Sequence, residues 1–382
     1  MYSARNPKVT GPVFKKGQPD DSHKFQYPPL PSGVYPYHLN LPRSAHADQR
    51  LVFNMVGDTG GLKSPDFQRQ IAEQMGLQYK LEEHPPEFLY HLGDVVYHFG
   101  EREQYETQFF KPYSHYPGPI YAIAGNHDAD VNPDNPEPYQ SLDAFYEVFC
   151  NTSPKTVYFS GGAARKSQIQ PNVYWTLNTE LATIIGLYSN VPKFGCISSE
   201  QRNWFIKELK RAEAMSGKAL IVCLHHAPYS ADTNHGSSAA MIRFLESAFE
   251  EASVYPDVVF SGHVHNYQRF LKHYKEKSVP FIVAGSGGFD ELHVLAEVTD
   301  PQFTQEDLLL EDVELKSYCE GHHGFIKVAI EKEEEHFTLT CEYYTLAHNE
   351  NDPAQPARLY DRFTIDLKGE DHFSCPELEG QA

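Results

Sequence analysis

The chain has no apolar run of the roughly eighteen residues that a membrane-crossing helix needs, so no transmembrane segment is expected in its 382 residues. Positive charge is scarce: 32 Lys and Arg stand against 52 Asp and Glu, for a formal net charge of -20. Such a surface repels polyanions, which excludes nucleic acid and an anionic membrane surface as general partners. Cysteine is sparse and scattered (150, 196, 223, 319, 341 and 375), with no C-x-x-C pair and hence no zinc ribbon or dithiol motif. The first residues, Met1-Tyr2-Ser3-Ala4-Arg5-Asn6-Pro7, hold no apolar core segment. No secretory signal is therefore expected, and reduced thiols in a cytoplasmic setting are the expectation. No repeat of fixed period and no long low-complexity tract occurs.

The apolar fraction is 40%, with 24 Phe and 24 Tyr, enough for a sizeable core. Residues 1–48 are rich in proline and aromatics, as in Tyr27-Pro28-Pro29-Leu30-Pro31. Proline removes backbone donors, so these residues are expected to form an extended arm on the domain. From Leu51 the pattern alternates. Strands are expected over 51–56, 88–92, 119–124, 173–177, 181–187, 219–224, 258–260 and 280–284. Helices are expected over 66–80, 101–110, 141–149, 200–214 (capped by Ser199) and 238–252. Residues 291–318 read as acidic and irregular. Then 324–330 and 336–344 read as a hairpin, 363–367 as a further strand, and 331–335 as a solvated acidic run. This order predicts an α/β (α+β) sandwich: two packed mixed sheets with flanking helices. The catalytic domain is expected over 49–368, with a tail at 369–382.

Five short clusters follow strand-like runs: Asp58-Thr59-Gly60, Gly93-Asp94-Val95-Val96-Tyr97, Gly125-Asn126-His127-Asp128, Val222-Cys223-Leu224-His225 and Gly262-His263-Val264-His265. In open α/β sheets the carboxyl ends of strands meet at one crevice. Carboxylates, an amide, a phenol and imidazoles gathered there make a ligand set for two metal ions, with an aspartate able to bridge them. Each cluster alone is commonplace: a Gly-Asp pair is usually a turn, and Asn-His-Asp a common loop. All five in order, each after a strand, point to a metal centre.

Together these clusters resemble the calcineurin-like metallophosphoesterases, and within them the purple acid phosphatases, over roughly residues 50–345. The wider superfamily has D-x-H in the first block. Here Gly60 stands for that histidine and Tyr97 appears in the second block, which is the purple acid phosphatase pattern. The resemblance implies a four-layer αββα fold. It implies Fe(III) held by Asp58, Asp94, Tyr97 and His265, and Fe(II), Zn or Mn held by Asn126, His225 and His263, with Asp94 bridging. It also implies hydrolysis of small phosphate monoesters by a metal-bound hydroxide. His127 would act on the phosphate and the leaving group, and His235, ten residues beyond His225, would assist. V-x-x-H selects His225, whereas a proline two residues after the ligand, Pro228, would select His226. A phosphodiesterase or nucleotidase on the same metals is the alternative activity. A metal-binding scaffold without turnover is the alternative of another class. His91, His98, His115, His322 and His323 lie outside the blocks and read as structural. Gly285-Ser286-Gly287-Gly288 reads as a tight turn beside the metal strands.

Overall fold

In the computed structural model, residues 7–42, 49–63, 66–215, 217–333, 336–346 and 355–367 are described. The expected tail 369–382 and part of the acidic run at 331–335 lie outside them. Two large sheets dominate. The first contains β3 (Arg50–Val56), β4 (Leu89–His91), β5 (Ile120–Ala122), β14 (Gly324–Lys332), β15 (Phe337–Thr345) and β16 (Arg358–Asp366), in the spatial order β16-β15-β14-β3-β4-β5. The second contains β2 (His38–Asn40), β6 (Trp175–Asn178), β7 (Ala182–Gly186), β8 (Ala219–Leu224), β9 (Val258–Ser261), β10 (Tyr267–His273), β11 (Ser278–Ala284) and β13 (Val313–Cys319). Its order is β13-β10-β11-β9-β8-β7-β6-β2. A small ribbon pairs β1 (Phe14–Lys15) with β12 (Phe303–Thr304).

The motif-bearing strands β3, β4, β5, β8 and β9 all lie in parallel runs: β3-β4-β5 in the first sheet, and β7-β8-β9-β11 in the second. They are buried throughout except at the first residues of β3 and β11. A strand covered on both faces reads as a continuous apolar run, which is why Leu51–Val56 and Ala219–Leu224 were legible. The sheets pack face to face. The Tyr267 and Tyr343 rings stack across them at 4.0 Å, and Arg269 Nε donates to Asp361 Oδ2 at 2.8 Å. On the outer faces, α1 (Asp66–Leu81) bonds to β3 through Asn54 Nδ2 and Gln78 Oε1 at 3.1 Å. On the other side α5 (Ser199–Glu213) bonds to β6 through Thr176 Oγ1 and Glu208 Oε2 at 2.6 Å. With α6 (Ala239–Ala252) beside α5, this is the expected α/β sandwich with helices outside two sheets.

Several boundaries differ from expectation. The α5 cap is Ser198, one residue earlier than expected: its extended backbone leaves the helix free to start at Ser199, and its hydroxyl accepts Gln201 N–H. The helix expected over 101–110 is a short α2 (Arg102–Tyr105) that widens to a π-helix over Glu106–Phe110; after α3 (Asn126–Ala129), the helix expected over 141–149 is α4 (Asp143–Phe149). The arm is not extended throughout, because Ser22–Lys24 forms a 3-10 turn, and it is not only laid on the domain, because His38–Asn40 joins the second sheet beside β6 as its edge strand. Residues 291–318, expected to be irregular, end in β13, an edge strand with Glu314 exposed. The strand β10 was not anticipated at all.

Candidate metal centre

The loops after β3, β4, β5, β8 and β9 converge on one buried point. Three of their residues hold left-handed backbone conformations that side chains disfavour: Asp58 (φ 58), Asp94 (φ 52) and His263 (φ 67). Strain of this kind persists where surrounding structure imposes it, and it concentrates at functional sites. Gly125 is required by proximity, since a Cβ there would lie 2.1 Å from Asp94 Oδ1. At Gly60 a Cβ would lie 2.3 Å from Gln108 Oε1 and 2.8 Å from Tyr97 Cδ2. A histidine at position 60 and this placement of Tyr97 therefore exclude each other, which gives the paired sequence change a steric cause.

The donor atoms fall into two groups. In the first, Tyr97 Oη donates to Asp58 Oδ1 at 3.1 Å and lies 3.2 Å from His265 Nε2, which is itself 3.5 Å from Asp58 Oδ1. In the second, His225 Nε2 lies 3.2 Å from Asp94 Oδ2 and 3.1 Å from Asn126 Oδ1, and His263 Nδ1 lies 3.0 Å from the same amide oxygen. Asp94, His225 and His263 place one donor atom each within 4.8 Å of one another. Each histidine spends its other nitrogen on a backbone carbonyl. His225 Nδ1 faces Leu92 O at 2.8 Å, His263 Nε2 faces Lys193 O at 3.0 Å, and His265 Nδ1 faces Glu291 O at 3.0 Å. Such outer partners fix the tautomer and present the inner lone pair, the arrangement that metal-ligating histidines show.

These inner lone pairs point at oxygen lone pairs, so the site calls for positive charge. Without a cation a proton supplies it. Burial opposes charge on both partners, yet Asp94 outweighs burial at His225 and pushes it up to about 9, while Asp94 is held below the usual carboxylate range by His225 and His127. His263 has no such partner, and burial drives it well below the ordinary histidine range. Its lone pair toward Asn126 Oδ1 is then met by no proton. Burial, with Asp58 and Asp94 close by, raises the Tyr97 phenol far above its ordinary value. Metal ions would displace the His225 proton and reverse the penalty on tyrosinate. The residues present thus fit a two-ion centre.

The structure brings together all seven residues expected to hold metal: Asp58, Asp94, Tyr97, Asn126, His225, His263 and His265. Of the two candidate histidines, His225 takes the inner position. His226 is fully buried, and its Nδ1 lies 2.7 Å from Ser189 Oγ. His127 donates its main-chain N–H to Asp94 Oδ1 at 2.9 Å, its Nδ1 lies 2.6 Å from His98 O, and its ring packs at 4.4 Å from Tyr97. His235 sits on the far side, its ring 4.2 Å from that of His263, with no hydrogen-bond partner for its Nδ1 among the described residues. Burial lowers it to about 3 despite the nearby Asp232 carboxylate. The Gly285–Gly288 segment packs beside the centre, with Gly285 close to Asp58 and Gly287 N–H donating to Gly57 O at 3.1 Å.

Of the residues that support the centre, Asp128 lies within a cluster, whereas Gln108, Asp232 and His293 gave no sequence signal. Gln108, on the π-helix, clamps Tyr97 through both backbone groups: its Oε1 accepts from Tyr97 N at 2.9 Å, and its Nε2 donates to Tyr97 O at 2.8 Å. Asp128, the fourth residue of its block, accepts from Val95 N at 3.0 Å and Gly125 N at 2.9 Å, tying the second and third blocks together. Asp232 organises the His235 loop, accepting from Asn234 N at 2.9 Å, His235 N at 3.1 Å and Gly236 N at 2.9 Å. His293 stacks on His265 at 4.3 Å and lies 3.2 Å from Asp232 Oδ2.

Comparison with known proteins bears on the same region. A family model described as calcineurin-like phosphoesterase matches residues 52–267, which contain all five clusters. Purple acid phosphatase 15 of Arabidopsis thaliana is 28% identical over 209 residues, covering 53% of this chain and 35% of that protein. Purple acid phosphatase 1 of Ipomoea batatas is 26% identical over 316 residues, covering 76% of this chain and 58% of that one. The chain thus spans only part of the length of these relatives. A solved structure titled as GAP50, the anchor in the inner membrane complex of Plasmodium, superposes with a TM-score of 0.50 at 13% identity. The match covers 82% of this chain and 90% of that one, a likeness of fold alone.

Proposed function

We propose that this chain, which belongs to the calcineurin-like phosphoesterase family and is of its purple acid phosphatase type, hydrolyses phosphate monoesters at a ferric–divalent pair. The observation that carries the reading is the Tyr97 phenol, clamped by Gln108 over the space left by Gly60 and aimed at Asp58 Oδ1 and His265 Nε2. A phenolate is a hard anionic ligand suited to a trivalent ion. Asp58, Asp94, Tyr97 and His265 would hold ferric iron. Asn126, His225 and His263 would hold the divalent ion (Fe, Zn or Mn), with Asp94 shared between them. When bound, the two cations polarise the phosphoryl oxygens and bring the pKa of water from 15.7 toward about 7.

The side chains do the rest. Asp94 fixes His127 by accepting its main-chain N–H, and His98 O holds its Nδ1 proton, which leaves Nε2 to face a bound ester. Protonated there, His127 gives its proton to the leaving alkoxide as the ester bond breaks. Burial disfavours charge on His235, so in this reading it serves as a hydrogen-bonding wall against the bound phosphate. The test is a substrate panel on metal-loaded protein with Asp94→Asn as control. Phenyl and alkyl monoesters should turn over at least about a hundredfold faster than the matching diesters, and the control should lose orders of magnitude. Faster diester turnover would replace the reading with the phosphodiesterase alternative.

A further inference from the structure

The arm lies outside the family-matched region, yet it is bonded to two loops on the side of the centre where Asn126, His225 and His263 stand. Val13 N donates to Ser230 O at 2.8 Å, Ser237 N donates to Val13 O at 2.7 Å, and Phe14 bridges Gly236. These contacts bracket the His235 loop. Further along, the Asp21 carboxylate accepts Lys193 N–H at 3.0 and 3.2 Å, and Gln26 N donates to Asn190 Oδ1 at 2.8 Å. Lys193 O is the carbonyl facing His263 Nε2 at 3.0 Å.

This stitching concentrates cations in a chain whose net charge is -20. The Lys15 ammonium donates to Thr233 O at 3.1 Å and Asn234 O at 3.2 Å, the two residues before His235. Among the described residues its acceptors are these two neutral carbonyls, which leaves one of its three N–H groups without an acceptor there. Lys193 is half-buried, and no hydrogen bond or ion pair engages its ammonium among the described residues. The nearby carboxylates are already engaged. Asp21 holds Lys193 N–H and lies 3.9 Å from Lys24 Nζ, while buried Asp232 is taken up by Ser230, Asn234, His235, Gly236 and His293.

We propose that Lys193 and Lys15 form a second anion subsite beside His235, so that the preferred substrates are phosphomonoesters bearing another anionic group. The subsite refines the monoesterase reading and rests on it for the word substrate; the binding itself does not. Two non-hydrolysed probes of similar length separate the two, 3-phosphonopropanoate and propylphosphonate, measured by calorimetry on the metal-loaded full chain at low salt. The first should bind about tenfold more tightly, a preference that added salt reduces. Lys193→Met should cut the preference to about threefold or less with propylphosphonate affinity unchanged, and Lys193→Arg should restore it, since a charge rather than a shape is removed. Equal binding of the two probes to the native chain, or a Lys193→Met loss shared equally by both, would overturn the subsite. The preference in a protein that hydrolyses no ester would support the subsite and remove the monoesterase reading. Normal monoester turnover without the preference would do the reverse.

Discussion

His127 differs from the neighbouring histidines in what its ring is free to do. The inner nitrogens of His225, His263 and His265 face Asp94, Asn126, Asp58 and Tyr97, whereas His127 is tied by its main-chain N–H and by Nδ1, which leaves Nε2 open to a ligand. A proton donor of this kind matters in proportion to the basicity of the leaving group. His127→Ala should slow alkyl phosphates by about a hundredfold to ten-thousandfold and p-nitrophenyl phosphate far less. Equal slowing of both would place the role of His127 in phosphate binding and not in proton transfer. The variant should fold, because the ring is half-buried and its backbone contact to Asp94 is retained.

At the scale of elements, the centre depends on strands being held in register from outside, and α5 shows how. Glu208, 2% exposed, accepts from Thr176 of β6 at 2.6 Å and lies 2.8 Å from His38 Nε2 of β2 and 3.0 Å from Arg211 Nη2 on its own helix. One carboxylate thus joins the arm's edge strand, the sheet and the helix. Burial opposes its ionisation, but these hydrogen bonds outweigh burial and hold Glu208 below the ordinary carboxylate range. A depressed folded-state pKa contributes stability that is present above the unfolded value, about 4.3, and is lost as pH falls through the lower folded value. Glu208→Gln should therefore cost about 1–3 kcal/mol at neutral pH, and the deficit should close as pH is lowered from about 5 toward 3. Thermal denaturation of both proteins across that range checks this. A deficit independent of pH would mean that Glu208 acts through shape and not through charge.

At the scale of the whole molecule, sequence and structure agree where chemistry and burial are written in runs of residues. Strands sealed on both faces show as unbroken apolar stretches, and the five clusters follow them directly, so the sandwich and the seven converging side chains were legible. What was hidden belongs to contacts between distant parts. β10 carries Arg269, whose charge reads as solvent-facing, yet it is buried against Asp361 of the opposite sheet with an Nε–Oδ2 separation of 2.8 Å. β2 is three residues long and sits in a proline-rich arm, too short for any period to show. Gln108, Asp232, His293 and Lys193 are single polar residues in loops or at a widened helical turn, and only the fold brings them to the centre. Of the histidines at 225 and 226, the V-x-x-H spacing favours the first while Pro228 leaves the second open, and the structure shows that the His225 ring is the one that reaches Asp94.

The most direct test of the account is the metal content and visible absorption of the purified chain beside Tyr97→Phe. Two metal ions per chain, one of them iron, with a broad visible band that Tyr97→Phe abolishes, are the expected result, because the band requires phenolate bound to ferric iron. A single ion, no ion, or a band that survives Tyr97→Phe would contradict the assignment of Asp58, Asp94, Tyr97 and His265 to one ferric site.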